Sequence, residues 1–152
     1  MATAQALTVL KTRQYATFHV AGFFFGIEVA KVQEVMRHQE MTDIPLAPAA
    51  IRGLINLRGQ IVIAVDSRRS LGLPPLEPGV SPRNIILRSD DGGVSLLVDD
   101  IGDVLDVPVE AFTPVPENMP AERRELIEGV YNLNDPLLLV LDTKRLLRSA
   151  CG

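Results

Sequence analysis

The chain has 152 residues, of which 47% are hydrophobic and 22% charged, so it suits one ordinary globular unit or two very small ones. Acidic residues outnumber basic ones by 19 to 15, and the net charge of -4 argues against nucleic acid as the main partner and against an electrostatic membrane anchor. A single cysteine, Cys151, excludes an internal disulfide. The first residues do not read as a signal peptide and the apolar runs are too short to span a bilayer, so we expect a cytoplasmic protein without direct membrane insertion.

Alternating apolar and polar residues predict short strands along most of the chain. Gln14–Val20 predicts the first strand, and Gly22 predicts a turn before the run FFFGIEV. Val29–Val35 predicts a strand with a kink, and a short helix is left open there. Further predicted strands are Arg83–Arg88, Gly93–Val98 and Ile101–Val107, with a hairpin turn at Asp90–Gly93.

Helices are predicted to be few and short. Proline at the start and glycine at the end favour helices at Pro48–Gly53 and, longer, at Pro120–Gly129. Asp66 and Asp142 are each predicted to be the N-cap of one or two helical turns. The sequence therefore predicts a mostly β protein.

One element occurs twice. Gly53–Asp66, GLINLRGQIVIAVD, aligns without a gap with Gly129–Asp142, GVYNLNDPLLLVLD, which lies 76 positions later. A weaker pair, Ile27–Val35 and Leu96–Val104, precedes the two copies in the same order. Two matching blocks in register predict a duplicated β unit of about 70 residues. We expect one β-barrel in residues 14–80 and a second in 81–152, packed together, with terminal segments free to cross between them.

The two copies differ at their centre. The first has Arg58-Gly59 where the second has Asn134-Asp135. A residue that only one of two equivalent units carries is not required by the fold, so the asymmetry marks Arg58 as a functional candidate.

Catalytic motifs are absent from the sequence. Two histidines and one cysteine do not supply a zinc site, and there is no phosphate-binding glycine loop and no nucleophile motif. We therefore expect no enzymatic activity and no cofactor. Asp99-Asp100 and Asp142 could be the acidic pocket and phosphoacceptor of a receiver domain, which is the alternative from another functional class. The chain ends ten residues after Asp142, however, which favours a solvated acid pair at a turn and an N-cap instead.

A known family pattern appears at Gly53–Pro74, GLINLRGQIVIAVDSRRSLGLP, together with FGIEVAKVQEV before it and IPLAPAAIRG between. These stretches closely resemble the CheW family of chemotaxis coupling proteins, and the resemblance extends from about Gln14 to Leu147. It implies two small SH3-like five-stranded β-barrels around a shared hydrophobic core. It also implies a non-enzymatic adaptor that joins transmembrane chemoreceptors to the regulatory domain of a CheA-type histidine kinase in membrane-associated arrays. A CheW-like adaptor of a non-flagellar pathway, such as surface sensing or type IV pili, is the alternative.

The resemblance also implies site residues. It places a groove between the barrels that binds the cytoplasmic tip of the receptor, with the arginine of NLRG involved in receptor coupling. The matching positions in this chain are Val32, Glu34, Val35, Arg58, Ile101 and Val104. An aliphatic groove can accept the apolar face of a helix, and a guanidinium offers a planar set of donors to carboxylates or carbonyls.

Phe23 and Phe24 depart from the family, in which a polar or acidic turn is usual at this place. Two aromatic residues in an exposed turn would form an apolar patch, and such patches often mark contact surfaces. Our hypothesis is that Phe23 or Phe24 contacts the kinase or another partner barrel. The alternative is that both tuck beneath the neighbouring chain.

Overall fold

The computed structural model describes residues 11–88, 93–133 and 136–151. Within these residues there are ten strands and three short α-helices. The strands are β1 Thr12–Val20, β2 Phe23–Glu28, β3 Val32–Met36, β4 Ile51–Leu57, β5 Gln60–Asp66, β6 Arg83–Leu87, β7 Gly93–Val98, β8 Asp100–Pro108, β9 Ile127–Asn132 and β10 Leu137–Leu141. The helices are α1 Ser67–Ser70, α2 Ala121–Arg124 and α3 Thr143–Cys151, and short 3-10 turns lie at Val29–Lys31 and Val109–Ala111.

The described strands form two five-stranded sheets. Sheet I has the order β8-β1-β2-β10-β9, and sheet II has the order β3-β6-β7-β5-β4. Neighbouring strands are antiparallel except for β2 with β10 and β5 with β7, which are parallel. The prediction of a mostly β fold with two five-stranded units and few helices is confirmed. The sheets do not follow the predicted boundary at residues 80 and 81, because β1 and β2 lie in one sheet with β8, β9 and β10.

The repeat accounts for this arrangement. Each repeat contributes a hairpin to one sheet and three strands to the other, so that the hairpins β1–β2 and β6–β7 are exchanged between the sheets. Backbone hydrogen bonds of the two matching segments recur as well, although the offset is 76 positions for Leu54 and Val130 and 71 for their partners Thr42 and Thr113. Leu54 forms a bridge with Thr42, as Val130 does with Thr113. The amide of Asp66 donates to Ala50 O (2.7 Å), and the amide of Asp142 donates to Leu126 O (2.8 Å).

Three apolar clusters hold the sheets together. The largest lies between the sheets and takes Phe18 and Phe25 from sheet I, Ile85 and Leu96 from sheet II, and Leu146 from α3. The opposite face of each sheet has a smaller cluster. These are Ile55, Leu57, Val62, Ala64, Ile86 and Leu97 in sheet II, and Tyr15, Val107, Tyr131, Leu138 and Val140 in sheet I. Both faces of the central strands are therefore buried, which explains why β10 reads as a continuous apolar run.

The helix predictions were correct at the caps and wrong elsewhere. Asp66 Oδ1 accepts the amides of Arg68 and Arg69, and Asp142 Oδ1 accepts the amide of Arg145, as expected for N-caps. Pro48–Gly53 is not a helix, because β4 begins at Ile51. Pro120–Gly129 contains only one helical turn, because Ile127 begins β9. Single turns gain little from their own hydrogen bonds, so strand pairing prevails at both places.

Two further sequence predictions concern turns and membrane segments. β6 and β7 pair antiparallel, as a hairpin requires, but most of the predicted turn at Asp90–Gly93 lies outside the described residues. None of the helices in the described ranges has the length and apolar character needed to cross a membrane.

Arg68 connects four parts of the chain. Its guanidinium donates to both carboxylate oxygens of Asp99, from Nε to Oδ1 (2.9 Å) and from Nη2 to Oδ2 (2.5 Å), and to the carbonyl of Pro74 (2.7 Å). Asp99 Oδ2 also accepts the amide of Ala21 (2.8 Å). Helix α1, the link between β7 and β8, the β1–β2 turn and the connector after α1 therefore meet at one ion pair.

This ion pair corrects the interpretation of Asp99 as part of a solvated acid pair. The Asp99 side chain is 22% exposed and that of Arg68 is 15% exposed. Burial alone raises the pKa of the Asp99 carboxyl, but the hydrogen bonds from Arg68 and from the Ala21 amide lower it more, so the net pKa lies below its ordinary value. The receiver alternative is also wrong, since that fold needs a doubly wound parallel sheet and these sheets are mainly antiparallel.

We expect Asp99→Asn to lower the free energy of unfolding by about 1–3 kcal/mol at pH 7, because the substitution leaves a half-buried guanidinium without its counter-charge. Since the folded-state pKa of Asp99 is depressed, wild type keeps this advantage above the unfolded-state pKa near 4 and loses it as the pH falls through the lower folded-state pKa. Urea unfolding of both proteins from pH 7 to pH 3 measures the difference. Asp100→Asn, at the exposed neighbour, is the control and should change stability by less than about 0.5 kcal/mol. Equal stability of Asp99→Asn and wild type at pH 7 would contradict the role of the pair.

Candidate functional site

The site lies between two edge strands that correspond to each other in the repeat. β3 is an edge of sheet II and β8 is an edge of sheet I. Each follows closely on a strand of the other sheet, since the turn Val29–Lys31 separates β2 from β3 and Asp99 alone separates β7 from β8. These short links keep both edge strands at the boundary between the sheets.

A bulge at the same place in both strands sets the direction of the side chains. The pairing of β3 with β6 shifts between Val32 and Glu34, so that Val32 and Val35 stand opposite Leu87 and Ile85. Both partners belong to the shared core. Without the bulge, two residues three positions apart would face opposite sides of the strand. The bulge therefore places Val32 and Val35 on the same, core-facing side.

β8 repeats this geometry. Its pairing with β1 shifts between Phe18 and Ala16, which stand opposite Ile101 and Val104. Ile101 packs against the shared core beside Phe18, and Val104 is on the same side of β8. The four aliphatic residues that the resemblance assigned to the groove thus lie on the core-facing sides of the two edge strands.

Part of this aliphatic surface remains open. Val32 and Ile101 are half-buried against the shared core, whereas Val35 is 48% and Val104 57% exposed. A cavity of ≈ 310 Å³ lies between the two strands, with Val35 of β3 on one side and Ile101 of β8 on the other. Its lining residues are Val35, Met36, Arg37, Arg83, Asp100 and Ile101. We call the surface formed by Val32, Val35, Ile101, Val104 and this cavity the groove.

Glu34 points away from the groove floor and forms an ion pair with Arg58. Arg58 and Gly59 are the two central residues of the turn between β4 and β5, and both have positive φ, 51° and 87°. Such values at both positions define the type I′ hairpin turn. The side chain of Asn56 accepts the Gly59 amide (2.9 Å) and holds the turn. The arginine is therefore carried on a tight turn beside β3.

The turn itself does not favour arginine. Type I′ turns prefer Asn or Asp followed by Gly, because most other side chains are strained at positive φ. The Arg58 side chain is also 64% exposed, so core packing does not require it. A strained residue at an exposed turn points to a function of the side chain. This agrees with the sequence asymmetry, although the matching Asn134-Asp135 lies outside the described residues.

The sequence interpretation placed Phe23 and Phe24 in a turn, and this was wrong. The turn is Ala21-Gly22, with φ of 51° and 83°, and both phenylalanines begin β2. Phe23 is 38% exposed and lies under the guanidinium of Arg123, which is 4.9 Å from the ring centroid. Phe24 is half-buried, packs against the smaller cluster of sheet I that contains Tyr15 and Tyr131, and has its ring centroid 5.0 Å from that of His19. Of the two rings, Phe23 is thus the more exposed, with Arg123 over one of its faces.

Four residues of the cavity lining were not predicted for the groove; Asp100 was interpreted only as part of a solvated acid pair. The other three are Met36, Arg37 and Arg83, and Arg83 reaches the cavity because β6 pairs with β3. Met36 and Arg37 directly follow KVQEV and could have been included by extending that motif. Arg83 lies 47 positions after Met36, and only the strand pairing brings it there.

A duplicated two-sheet β protein with an open aliphatic groove between its edge strands belongs to the class of protein-binding modules. The family described as CheW-like domain matches residues 14–151. The chain belongs to this family. The chemotaxis protein CheW of Treponema pallidum is 31% identical over 140 residues, which cover 90% of this chain and 82% of that protein.

Two further comparisons extend this result. Protein PilI of Pseudomonas aeruginosa is 27% identical over 124 residues, covering 80% of this chain and 68% of that protein. The crystal structure of the scaffolding protein TtCheW from Thermoanaerobacter tengcongensis has the same fold, with a TM-score of 0.77 and 24% identity over 86% of this chain and 89% of that chain.

We expect Arg58→Asn to raise the free energy of unfolding by about 0.5 kcal/mol, because asparagine tolerates the positive φ that strains arginine. Thermal and urea unfolding measure the change. Arg58→Val is the matched opposite, since a β-branched residue in this conformation should lower stability by about 1–2 kcal/mol. A marked loss of stability in Arg58→Asn would show that the ion pair with Glu34 holds the turn.

Proposed function

We propose that this protein is a non-enzymatic adaptor that couples transmembrane chemoreceptors to a CheA-type histidine kinase in signalling arrays at the membrane. The observation that carries the proposal is the groove, in which half-exposed Val35 and half-buried Ile101 line a cavity between two edge strands and Val104 adds a further exposed aliphatic side chain on β8. Membership of the CheW-like family supports a coupling or scaffolding role of this kind.

The chemistry of the groove suits the cytoplasmic tip of a receptor, which we take to be a helical hairpin. An amphipathic helix that covers Val35 and Val104 removes their exposed methyl groups from water, which favours binding in proportion to the area buried. Arg58 stands beside β3 with an exposed guanidinium and can exchange Glu34 for a carboxylate or carbonyl of the helix. Binding of this kind would transmit receptor state through differences in contact between kinase-on and kinase-off arrays.

The similarity to protein PilI favours a second candidate, a CheW-like adaptor of a non-flagellar pathway such as surface sensing or type IV pili. Both candidates use the same groove. Deleting the gene and scoring swimming and surface motility separately distinguishes them, because each pathway predicts loss of only one behaviour.

We expect Arg58→Asn to weaken capture of a receptor signalling tip by about tenfold, because one charge-assisted hydrogen bond is lost while the turn is kept. Val35→Asp should abolish capture, because it replaces apolar surface of the groove floor by a carboxylate that a bound helix would have to cover. The measurement is a titration of the isolated signalling tip against each variant. Arg52→Ala is the control, since it removes an equally charged, exposed side chain at the far end of β4.

The titration separates a structural role from a binding role. If Arg58→Asn and Arg58→Ala both unfold the protein, Arg58 is structural and its assignment to receptor coupling is wrong. If Val35→Asp folds and captures the tip as wild type does, the groove is not the receptor site.

We further propose that Phe23, rather than Phe24 on the opposite face of β2, contacts the kinase regulatory domain. Its exposed ring and the guanidinium of Arg123 offer a joint apolar and cationic surface. Phe23→Asp should weaken kinase binding by about tenfold with little effect on stability, because the ring is not part of the core. Phe24→Ala is expected to lower stability instead, since this ring packs against the cluster of sheet I that contains Tyr15 and Tyr131. Unchanged kinase binding by folded Phe23→Asp would remove the contact hypothesis.

A further inference from the structure

The aliphatic floor of the groove has an internal two-fold pseudo-symmetry. Val32 corresponds to Ile101 and Val35 to Val104, both at an offset of 69 positions. Their partners correspond in the same way, since Leu87 and Ile85 lie 69 positions after Phe18 and Ala16. A two-fold rotation exchanges the β3 half of the floor with the β8 half. A helix on the floor therefore makes similar apolar contacts whichever way its chain runs from N-terminus to C-terminus. Apolar contact alone therefore does not fix the direction of a bound helix.

The charges along the two sides of the groove share this symmetry only in part. Glu34 corresponds to Asp103, and both are acidic, whereas Arg37 corresponds to Asp106 at the same offset and has the opposite charge. β8 carries three exposed aspartates, Asp100, Asp103 and Asp106, and no basic residue. We call these three the acidic lip. On the β3 side, Arg37 and Arg83 line the cavity and Arg58 stands beside Glu34. We call these three arginines the basic lip.

These charges are available to a partner. Within the described residues, no salt bridge involves Arg37, Arg83 or any aspartate of the acidic lip. Arg58 is bound to Glu34, but both side chains remain accessible. The cavity itself has Arg37 and Arg83 on one side and Asp100 on the other, so members of the two lips face each other across it.

We propose that the charged lips fix the direction of a helix in the groove. This inference rests on the proposed function, in which the groove receives the apolar face of a receptor helix. The partner it fits is an amphipathic helix with an acidic flank on one side of its apolar face and a basic flank on the other. The acidic flank lies along Arg37, Arg58 and Arg83, and the basic flank lies along the aspartates of β8.

The direction follows from geometry. A helix that lies with its apolar face on the floor can be turned end for end only by exchanging its two flanks. The reversed helix places acidic residues against Asp100, Asp103 and Asp106 and basic residues against the arginines. Like charges then meet on both sides, which disfavours this direction. We expect a preference of about tenfold at low salt, which declines as added salt screens the exposed charges.

The test uses a synthetic amphipathic helix of about 20 residues, with a leucine face, glutamates on one flank and lysines on the other. A nitroxide is attached to the glutamate flank in one peptide and to the lysine flank in a second. NMR spectra of the isotope-labelled protein then show which amides each label broadens. The glutamate-flank label should broaden Leu57–Gln60, and the lysine-flank label should broaden Ile101–Val107.

Charge reversal supplies the matched variant. The quadruple substitution Arg37→Glu, Arg83→Glu, Asp103→Lys and Asp106→Lys keeps the net charge, and it should exchange the two broadening patterns. The double substitution Asp103→Lys and Asp106→Lys changes only exposed side chains of β8. The double variant should reduce the preference for one helix direction without reversing it. It tests the inference if the quadruple variant does not fold.

The outcomes separate this inference from the proposed function. If the peptides bind wild type but not Val35→Asp, and each label broadens both lips equally, the groove stands and the inference on direction is wrong. The inference is also wrong if the folded double variant keeps the full wild-type preference. If neither peptide binds wild type at low salt, the groove does not accept amphipathic helices and the proposed function fails with it.

Discussion

The apolar layer between the two sheets is the constraint on which the rest of the structure depends. It is the largest buried cluster, and both sheets and α3 contribute to it. Each sheet combines the hairpin of one repeat with three strands of the other, so neither repeat can bury its apolar residues alone. The exchange also forces two chain crossings, at Val29–Lys31 and at Asp99. Because these links are short, β3 and β8 lie at the boundary between the sheets, and the groove is a direct result of the crossing.

Local patterns predicted much of this fold. Alternation located β1, β6, β7 and β8, and the caps at Asp66 and Asp142 were recognised because an aspartate before a helical turn satisfies otherwise unpaired amides. The two wrong helices were segments with helix-like ends whose fate is decided by distant strands. Ile51 pairs with Val65 and Ile127 pairs with Leu141, and local composition does not report such pairing. For the same reason the first hairpin was assigned to the first barrel, with only a general allowance for terminal segments to cross, although it pairs with β8 and β10.

The site was predictable in part, since Arg58 could be singled out by comparing the two copies of the repeat. Its ion pair with Glu34 and its positive φ add a physical reason, which the sequence could not show. Asp99 was wrongly interpreted as solvated because its partner Arg68 is 31 positions away in the sequence. Arg68 itself was noticed only as part of the helical turn that Asp66 caps. The charged residues of the two lips could be read in the sequence. Only the structure shows that β3 and β8 line one cavity, which places these opposite charges around the same groove. Long-range pairing again marks the limit of sequence reasoning.

The exchanged hairpins also have a consequence for biosynthesis. The hairpin β1–β2 leaves the ribosome before the strands that flank it, since its neighbours β8 and β10 end at Pro108 and Leu141. At about 5–20 residues per second, its two aromatic strands wait for several seconds before the strands that flank them are made. During this time Phe18, Phe25 and the free edges of the hairpin are exposed to other nascent chains. The chain crossing that creates the groove thereby lengthens the time during which an apolar hairpin has no partner strands.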